Sequence, residues 1–227
     1  MTTYNIAIDG PAGAGKSTIA KKAAAKLGFI YVDTGAMYRA MALYCLREGI
    51  RREDEQAVEA ACPKMAISLK YQDGAQQVLL NGEDVSGLIR TEEVSAMTSA
   101  ISVYAPVRQK LLELQRELAG EENVIMDGRD IGTCVLPWAQ TKIYLTAGSH
   151  VRALRRYKEQ QEKGLMCNLE EIEQDIIERD YRDMHRDIAP LKQAEDAVYL
   201  DSSDMTIDQV VDAIIKEAAK RGLEVRD

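Results

Sequence analysis

Short apolar runs alternate with stretches of helical spacing along most of the chain. "YNIAI" is a short apolar run that leads into glycine-rich sequence. "STIAKKAAAKLG" follows, with the alanines and lysines of a helix and a closing glycine, Gly28, of the type that ends one. "FIYVD" predicts a second strand ending at Asp33, and "AMYRAMALYCLREG" a second helix that stops at Gly49. Strand and helix in strict alternation point to a parallel sheet wrapped by helices.

The period changes at about Ile67. "ISLKYQDGAQQVLLNGEDVSG" alternates apolar with polar residues and holds two turn signals, Asp73-Gly74 and Asn81-Gly82, which predicts a small antiparallel hairpin. Helical spacing resumes in "TEEVSAMTSAISVYA" and "PVRQKLLELQRELAG", with Pro106 suited to a helix start. "ENVIMDG" and "TKIYLTA" predict two buried strands. Charge-rich helices are expected from His150 to about Gly164 and from Leu169 to about Ile188, then a strand in "AVYLDSS" and an amphipathic helix in "TIDQVVDAIIKEAAKRG". No repeat or low-complexity linker interrupts the pattern. The length of 227 residues favours one domain over 1–227, with the hairpin region inserted at approximately 63–90 and an arginine-rich segment at approximately 150–168.

Composition adds exclusions. Hydrophobic residues make up 46% and charged residues 29%, an ordinary globular mixture, and a formal net charge of -8 argues against a protein that coats nucleic acid or acidic membrane. Asp9 breaks the first apolar run almost at once, so no signal peptide is expected, and no apolar stretch approaches the roughly 20 residues needed to span a bilayer. Cys45, Cys62, Cys134 and Cys167 form no Cys-x-x-Cys pair and read as small core residues in a reducing compartment. His150 and His185 fall in charged helical segments and read as surface residues. The cytoplasm is the expected location.

The chemistry is concentrated in "GPAGAGKS". Gly10, Pro11, Ala12, Gly13, Ala14, Gly15, Lys16 and Ser17 fit G-x-x-x-x-G-K-[ST] in full, between a predicted strand and a predicted helix. Such a loop turns several backbone N–H groups toward phosphate oxygens, and the helix behind it adds its positive end. Lys16 can reach terminal phosphates, and Ser17 can offer its hydroxyl to magnesium. The fold expected is therefore an α/β sheet of P-loop NTPase type flanked by helices, with a small antiparallel insertion and a basic helical hairpin. GTP-dependent switches, motor ATPases and small-molecule kinases share this loop. The Asn-Lys-x-Asp segment of a guanine-reading switch is absent from the sequence.

Further basic groups are unusual in an acidic chain. "DTGAMYR" ends at Arg39, "YAPVR" carries Arg108, and "MDGRDIG" places Arg129 and Asp130 beyond the carboxyl end of a strand, where open α/β sheets bind ligands. "HVRALRRYK" sets Arg152, Arg155 and Arg156 on one helix face, and "ERDYRDMHR" spaces Arg179, Asp183 and Arg186 by four and three. Each of these two helices could be a solvated face laced with ion pairs. Arg129 is poor core material without an anionic partner, and reads as a ligand group.

"IDGPAGAGKST", "DTGAMYR", "GEDVSGLIRTEEV", "DGRDIGT", "KIYLTA", "ERDYRD" and "APL", in that order, resemble the bacterial cytidylate kinases among the P-loop nucleoside monophosphate kinases. The resemblance runs from Ile6 to the final helix. It implies transfer of the γ-phosphoryl group of ATP to CMP or dCMP, with magnesium as cofactor, by a monomer that uses neither nucleic acid nor membrane. It also implies roles. Gly13, Gly15, Lys16, Ser17 and Thr18 would hold the ATP phosphates and the metal. Thr34, Arg39, Arg129 and Arg186 would bind the CMP phosphate, with Lys16, Arg129 and Arg186 carrying the catalysis. Ser99, Arg108 and Asp130 would face cytosine, and Arg179 and Asp183 the sugar. Arg152, Arg155 and Arg156 would belong to a helical lid over ATP, and Asp33 would order the magnesium hydration shell. Many relatives have Ser where Thr34 stands; either hydroxyl can donate to phosphate.

Overall fold

The computed structural model describes residues 3–72 and 75–224, so the expected Asp73-Gly74 turn lies outside the described residues. The chain divides into two units: one runs to Tyr31 and resumes at Glu122, and the other spans Val32–Glu121.

The first unit is built on β1 (Asn5–Asp9), β6 (Val124–Gly128), β7 (Thr141–Thr146) and β8 (Val198–Asp201), with β2 (Ile30–Asp33) entering it through Ile30 and Tyr31. The sheet order is β2-β6-β1-β7-β8, and β6, β1, β7 and β8 pair in parallel. Central position explains why β1 and β6 read as unbroken apolar runs rather than alternating ones. Ile6, Ile8, Ile125, Ile143 and Leu145 meet Ile19, Ala20, Ala23 and Ala24 of α1 (Lys16–Leu27). Val210, Val211, Ile214 and Ala218 of α8 (Ile207–Lys220) complete that core. The alanines let α1 lie close to the sheet, and each fully buried isoleucine contributes roughly 1.5–3 kcal/mol. Gly28 ends α1 in a left-handed conformation (φ 68°), its N–H bonded to Ala24 O. Thr206 and Gln209 close α8 with a reciprocal capping box. α6 (Ser149–Glu162) and α7 (Leu169–Met184) pack together through Ala153, Ile172 and Ile176.

The second unit carries a three-stranded sheet of β3 (Ile67–Gln72), β4 (Ala75–Leu80) and β5 (Glu83–Asp84), with β3 and β5 each antiparallel to β4. Asn81 and Gly82 join β4 to β5 with φ of 51° and 87°, the left-handed pair that suits a two-residue hairpin turn. Its helices are α2 (Thr34–Arg47), α3 (Glu55–Ala61), α4 (Glu92–Ile101) and α5 (Ala105–Glu121), the last with Pro106 as its second residue. Met37, Met41, Met65, Leu80, Ile89, Ile101 and Leu111 are buried here. Among the described residues no helix is long and apolar enough to cross a membrane.

Candidate active site

The glycine-rich loop leaves β1 at Gly10 and enters α1 at Lys16. Gly10 has φ 150°, and a Cβ there would stand 1.9 Å from Leu145 O, so only glycine fits between the loop and β7. Gly13 and Gly15 take φ of 74° and 82°. Pro11, Ala12 and Ala14 are buried, whereas Gly13 and Thr18 are exposed. The Lys16 ammonium is buried and donates to Gly10 O and Pro11 O, each at 2.7 Å. Burial, then the Arg129 guanidinium, hold its pKa well below the usual lysine value, against the pull of Asp127, Asp9 and Asp183. Ser17 Oγ donates to Asp127 Oδ2 at 2.7 Å, and Tyr31 OH donates to Asp127 Oδ1 at 3.2 Å.

Strand register sets what lies beside this loop. Asp9 is paired with Gly128, so "GPAGAGKS" and "Arg129-Asp130" leave the carboxyl ends of adjacent parallel strands. Asp9 ties them further: its Oδ1 accepts from Ile131 N at 2.8 Å and its Oδ2 from Gly132 N at 2.7 Å. Burial pushes the Asp9 carboxyl up to about 7, despite these two donors. Residues Ile131–Val135 form one wide helical turn, closed by Val135 N to Asp130 O and Leu136 N to Ile131 O. Asp130 is buried at its head.

Arg129 Nε donates to Asp183 Oδ2 at 2.8 Å, and Arg186 pairs with Asp183 Oδ1. Asp183 is almost fully buried at the end of α7, and Arg186 lies just past that helix. Burial raises the Asp183 pKa, but Arg129 and Arg186 outweigh it, with Arg179 adding to them, and the net shift is downward. Three expected arginines therefore converge electrostatically on one carboxylate.

The three arginines of α6 are placed differently from one another. Arg152 is buried, not projecting: Nε donates to Ala147 O and Nη1 to Ala12 O, both at 2.8 Å, and Nη1 lies 2.7 Å from Asp180 Oδ2. Arg155 donates to Ser202 O at 2.7 Å. Each of these two guanidinium groups donates to at least one backbone carbonyl, a use that sequence spacing cannot distinguish from phosphate binding. Arg156 is exposed.

The remaining expected residues lie in the second unit. Asp33 caps α2, accepting from Ala36 N at 2.9 Å on Oδ1, while Arg90 bonds its Oδ2 at 2.9 Å. Both oxygens thus have partners within the protein. Thr34 is buried as the first residue of α2, and Arg39 follows one turn on, its Nη1 3.7 Å from where a Gly35 Cβ would stand. Ser99 is half-buried on α4. Arg108, on α5, lies over the Tyr38 ring at 5.9 Å and donates to Ser102 O at 3.3 Å.

Sequence reasoning missed Asp9, Asp127 and Asp180 as buried polar partners of this site. An aspartate closing an otherwise apolar strand, as in "NIAID" and "VIMDG", was the available signal, since such a carboxylate must find donors. Among the described residues no group of three or more His, Cys, Asp or Glu is arranged to hold a metal on protein ligands alone.

A family model described as Cytidylate kinase matches residues 6–220. The chain is 51% identical over 216 residues to a cytidylate kinase of Lactobacillus gasseri, covering 95% of this chain and 94% of that one. To a cytidylate kinase of Streptococcus pneumoniae it is 48% identical over 222 residues, 97% of this chain and all of the other, 100%. Among solved structures, a gluconokinase from Sinorhizobium meliloti is similar in fold, with a TM-score of 0.50, 13% identity, and 96% and 93% of the two chains covered.

Proposed function

The chain belongs to the cytidylate kinase family, and from that premise we propose that it transfers the γ-phosphoryl group of ATP to CMP or dCMP, giving ADP and CDP or dCDP. The observation that carries the proposal is the register of β1 against β6, which sets a phosphate-binding loop beside Arg129 at neighbouring strand ends.

The loop from Gly10 to Ser17 receives the ATP phosphates on its N–H groups and the end of α1, with Lys16 reaching the terminal ones. Arg129 and Arg186, already gathered by Asp183, receive the acceptor phosphate. A phosphate oxygen of CMP attacks the γ-phosphorus in line as the bond to the β-phosphate oxygen breaks. That oxygen is anionic near neutral pH, so no general base is required. The work lies in aligning two polyanions and neutralising the charge that moves between them, and arginine suits it because its fork takes two oxygens and stays protonated.

On family resemblance we assign Thr34, Arg39, Ser99 and Arg108 of the second unit to the same acceptor, Asp130 to the cytosine amino group and Arg179 to the sugar. Arg156 is our candidate for the donor phosphates among the α6 arginines, being exposed. A hydroxyl and a carboxylate side by side, Ser17 and Asp127, are hard oxygen donors that fit magnesium. When bound, magnesium supplies charge neutralisation at the β- and γ-phosphates.

Coupled measurement of ADP release over CMP, dCMP, UMP and AMP tests the proposal. Turnover should depend on added CMP or dCMP and be much slower with the others. Equal ATP hydrolysis with and without CMP would refute it.

A further inference from the structure

Ala12 sits at the crown of the phosphate loop and is held on both sides of its backbone. Its N–H donates to Asp180 Oδ1 at 3.2 Å, and its carbonyl accepts from Arg152 Nη1 at 2.8 Å. Arg152 and Asp180 are themselves joined at 2.7 Å, so the three residues close a ring. Arg152 is anchored again through Nε to Ala147 O, just past β7. Both charged residues are buried. Next along the loop, a Cβ on Gly13 would stand 3.4 Å from Arg152 Cβ and 3.8 Å from Ile176 Cδ1, so α6 and α7 also pack on the loop directly.

A buried ion pair is no reliable source of stability, since desolvation of two charges offsets most of their attraction. What this pair does supply is direction. It fixes the plane of the peptides flanking Ala12, and thereby the aim of the N–H groups that follow. A buried N–H and C=O that could have closed on one another or on water are instead committed to two helices distant in sequence.

We propose that Asp180, acting through Ala12 and Arg152, is a positioning residue of the donor site: it sets the backbone on which the ATP phosphates rest. Arg152 belongs to this clasp and not to the substrate. The inference rests on the reading of the loop as an ATP site. It makes α6 and α7 a brace for the loop, and it predicts that damage at Asp180 is felt by ATP and spares CMP.

The test measures KM for ATP and for CMP, kcat, and ADP affinity by calorimetry on folded Asp180→Asn, Arg152→Lys and the Arg152→Met/Asp180→Asn double variant. Asparagine keeps one acceptor for Ala12 N but leaves the guanidinium without its charge partner, and lysine cannot reach Ala12 O and Asp180 together. Each single change should raise KM for ATP and weaken ADP binding about tenfold or more, because small misplacements in such sites are costly. KM for CMP should stay within about twofold. The double variant should bind ADP about as well as the weaker single, since the ring acts as one unit. Unchanged ADP affinity, equal rises in both KM values, or effects that simply add would each overturn the clasp. If the wild type binds ATP but shows no CMP-dependent turnover, the kinase reading fails, and the calorimetric comparison still decides the clasp. Where Asp180→Asn does not fold, Arg152→Lys carries the same comparison.

Discussion

Ser17 at the head of α1 and Asp127 on β6 are joined by a 2.7 Å hydrogen bond from Oγ to Oδ2, although 110 residues separate them. The bond orients the hydroxyl that we propose as a magnesium ligand. Asp127→Asn keeps the shape but weakens both the hydrogen bond and the local negative charge. The magnesium concentration that half-saturates turnover should rise about 10–100-fold, the usual cost of losing a carboxylate that orients or holds a metal ligand. Chelation by EDTA should abolish turnover in both proteins. A magnesium titration of variant and wild type checks this, and superimposable curves would contradict it.

The proposed transfer assigns Lys16 and Arg129 to the charge that moves between the phosphates. Lys16→Met and Arg129→Ala should each lower kcat by at least about a hundredfold, equivalent to roughly 3–4 kcal/mol of transition-state stabilisation for one well-aimed group. Arg129→Ala also leaves Asp183 with Arg186 and Arg179 as its counter-charges, so the protein should remain folded. Near-normal turnover of either folded variant removes its assigned role.

The two predictions rest on parts of the molecule that differ in how openly the sequence displays them. The loop was legible because glycines, Lys16 and Ser17 occur at fixed spacing between a strand and a helix, and the left-handed φ of Gly13 and Gly15 is what that spacing demands. The Asn81-Gly82 turn was legible for the same local reason. Three features were not. α3 is only seven residues long, too short for a helical period to emerge, although Asp54 caps it at Ala57 N. The wide turn at Ile131–Val135 depends on Asp9, 122 residues away, receiving Ile131 N. Arg152 and Asp180 carry charges that sequence reads as surface or substrate groups, whereas tertiary packing buries them against Ala12. Local rules see spacing; they do not see which carbonyl a fork will meet.

Asp130 offers a test of base choice. Cytosine presents an exocyclic amino donor where uracil presents a carbonyl, so a carboxylate accepts from the first and repels the second. Asp130→Asn should lower the ratio of kcat/KM for CMP over UMP by about tenfold or more. Competition assays on the purified variant measure that ratio directly, and an unchanged value assigns the discrimination elsewhere.

Asp183 links the arginine cluster to pH. Its pKa lies below the ordinary 3.8 because Arg129 and Arg186 outweigh the burial that raises it. A carboxyl lowered on folding stabilises the native state fully above its unfolded pKa, and that contribution is lost as pH falls through the folded value. Asp183→Asn removes it and leaves two guanidinium groups facing an amide, a loss of about 3 kcal/mol at neutral pH. Thermal melts of both proteins from pH 7 to pH 3 should show a wide gap that begins to narrow below about pH 4. A gap independent of pH would show that charge is not its origin.

Gly10 separates close approach from backbone strain. With φ 150° it lies in the region that side chains avoid, and its missing Cβ would meet Leu145 O at 1.9 Å. Gly49 has a left-handed φ of 67° with nothing within 4 Å of an added Cβ. Gly49→Ala therefore carries strain alone and should cost about 1 kcal/mol. Gly10→Ala carries strain and a collision with a strand carbonyl that cannot rotate away, and should cost at least about 3 kcal/mol. Relief of that collision requires the loop to move off β7, which displaces the N–H groups proposed to face phosphate. ADP affinity should consequently fall in Gly10→Ala well beyond what lower stability explains, while Gly49→Ala binds as the wild type does. Denaturant melts with calorimetry on the two variants read both quantities, and equal destabilisation with equal binding would show that the contact with Leu145 does not shape the loop.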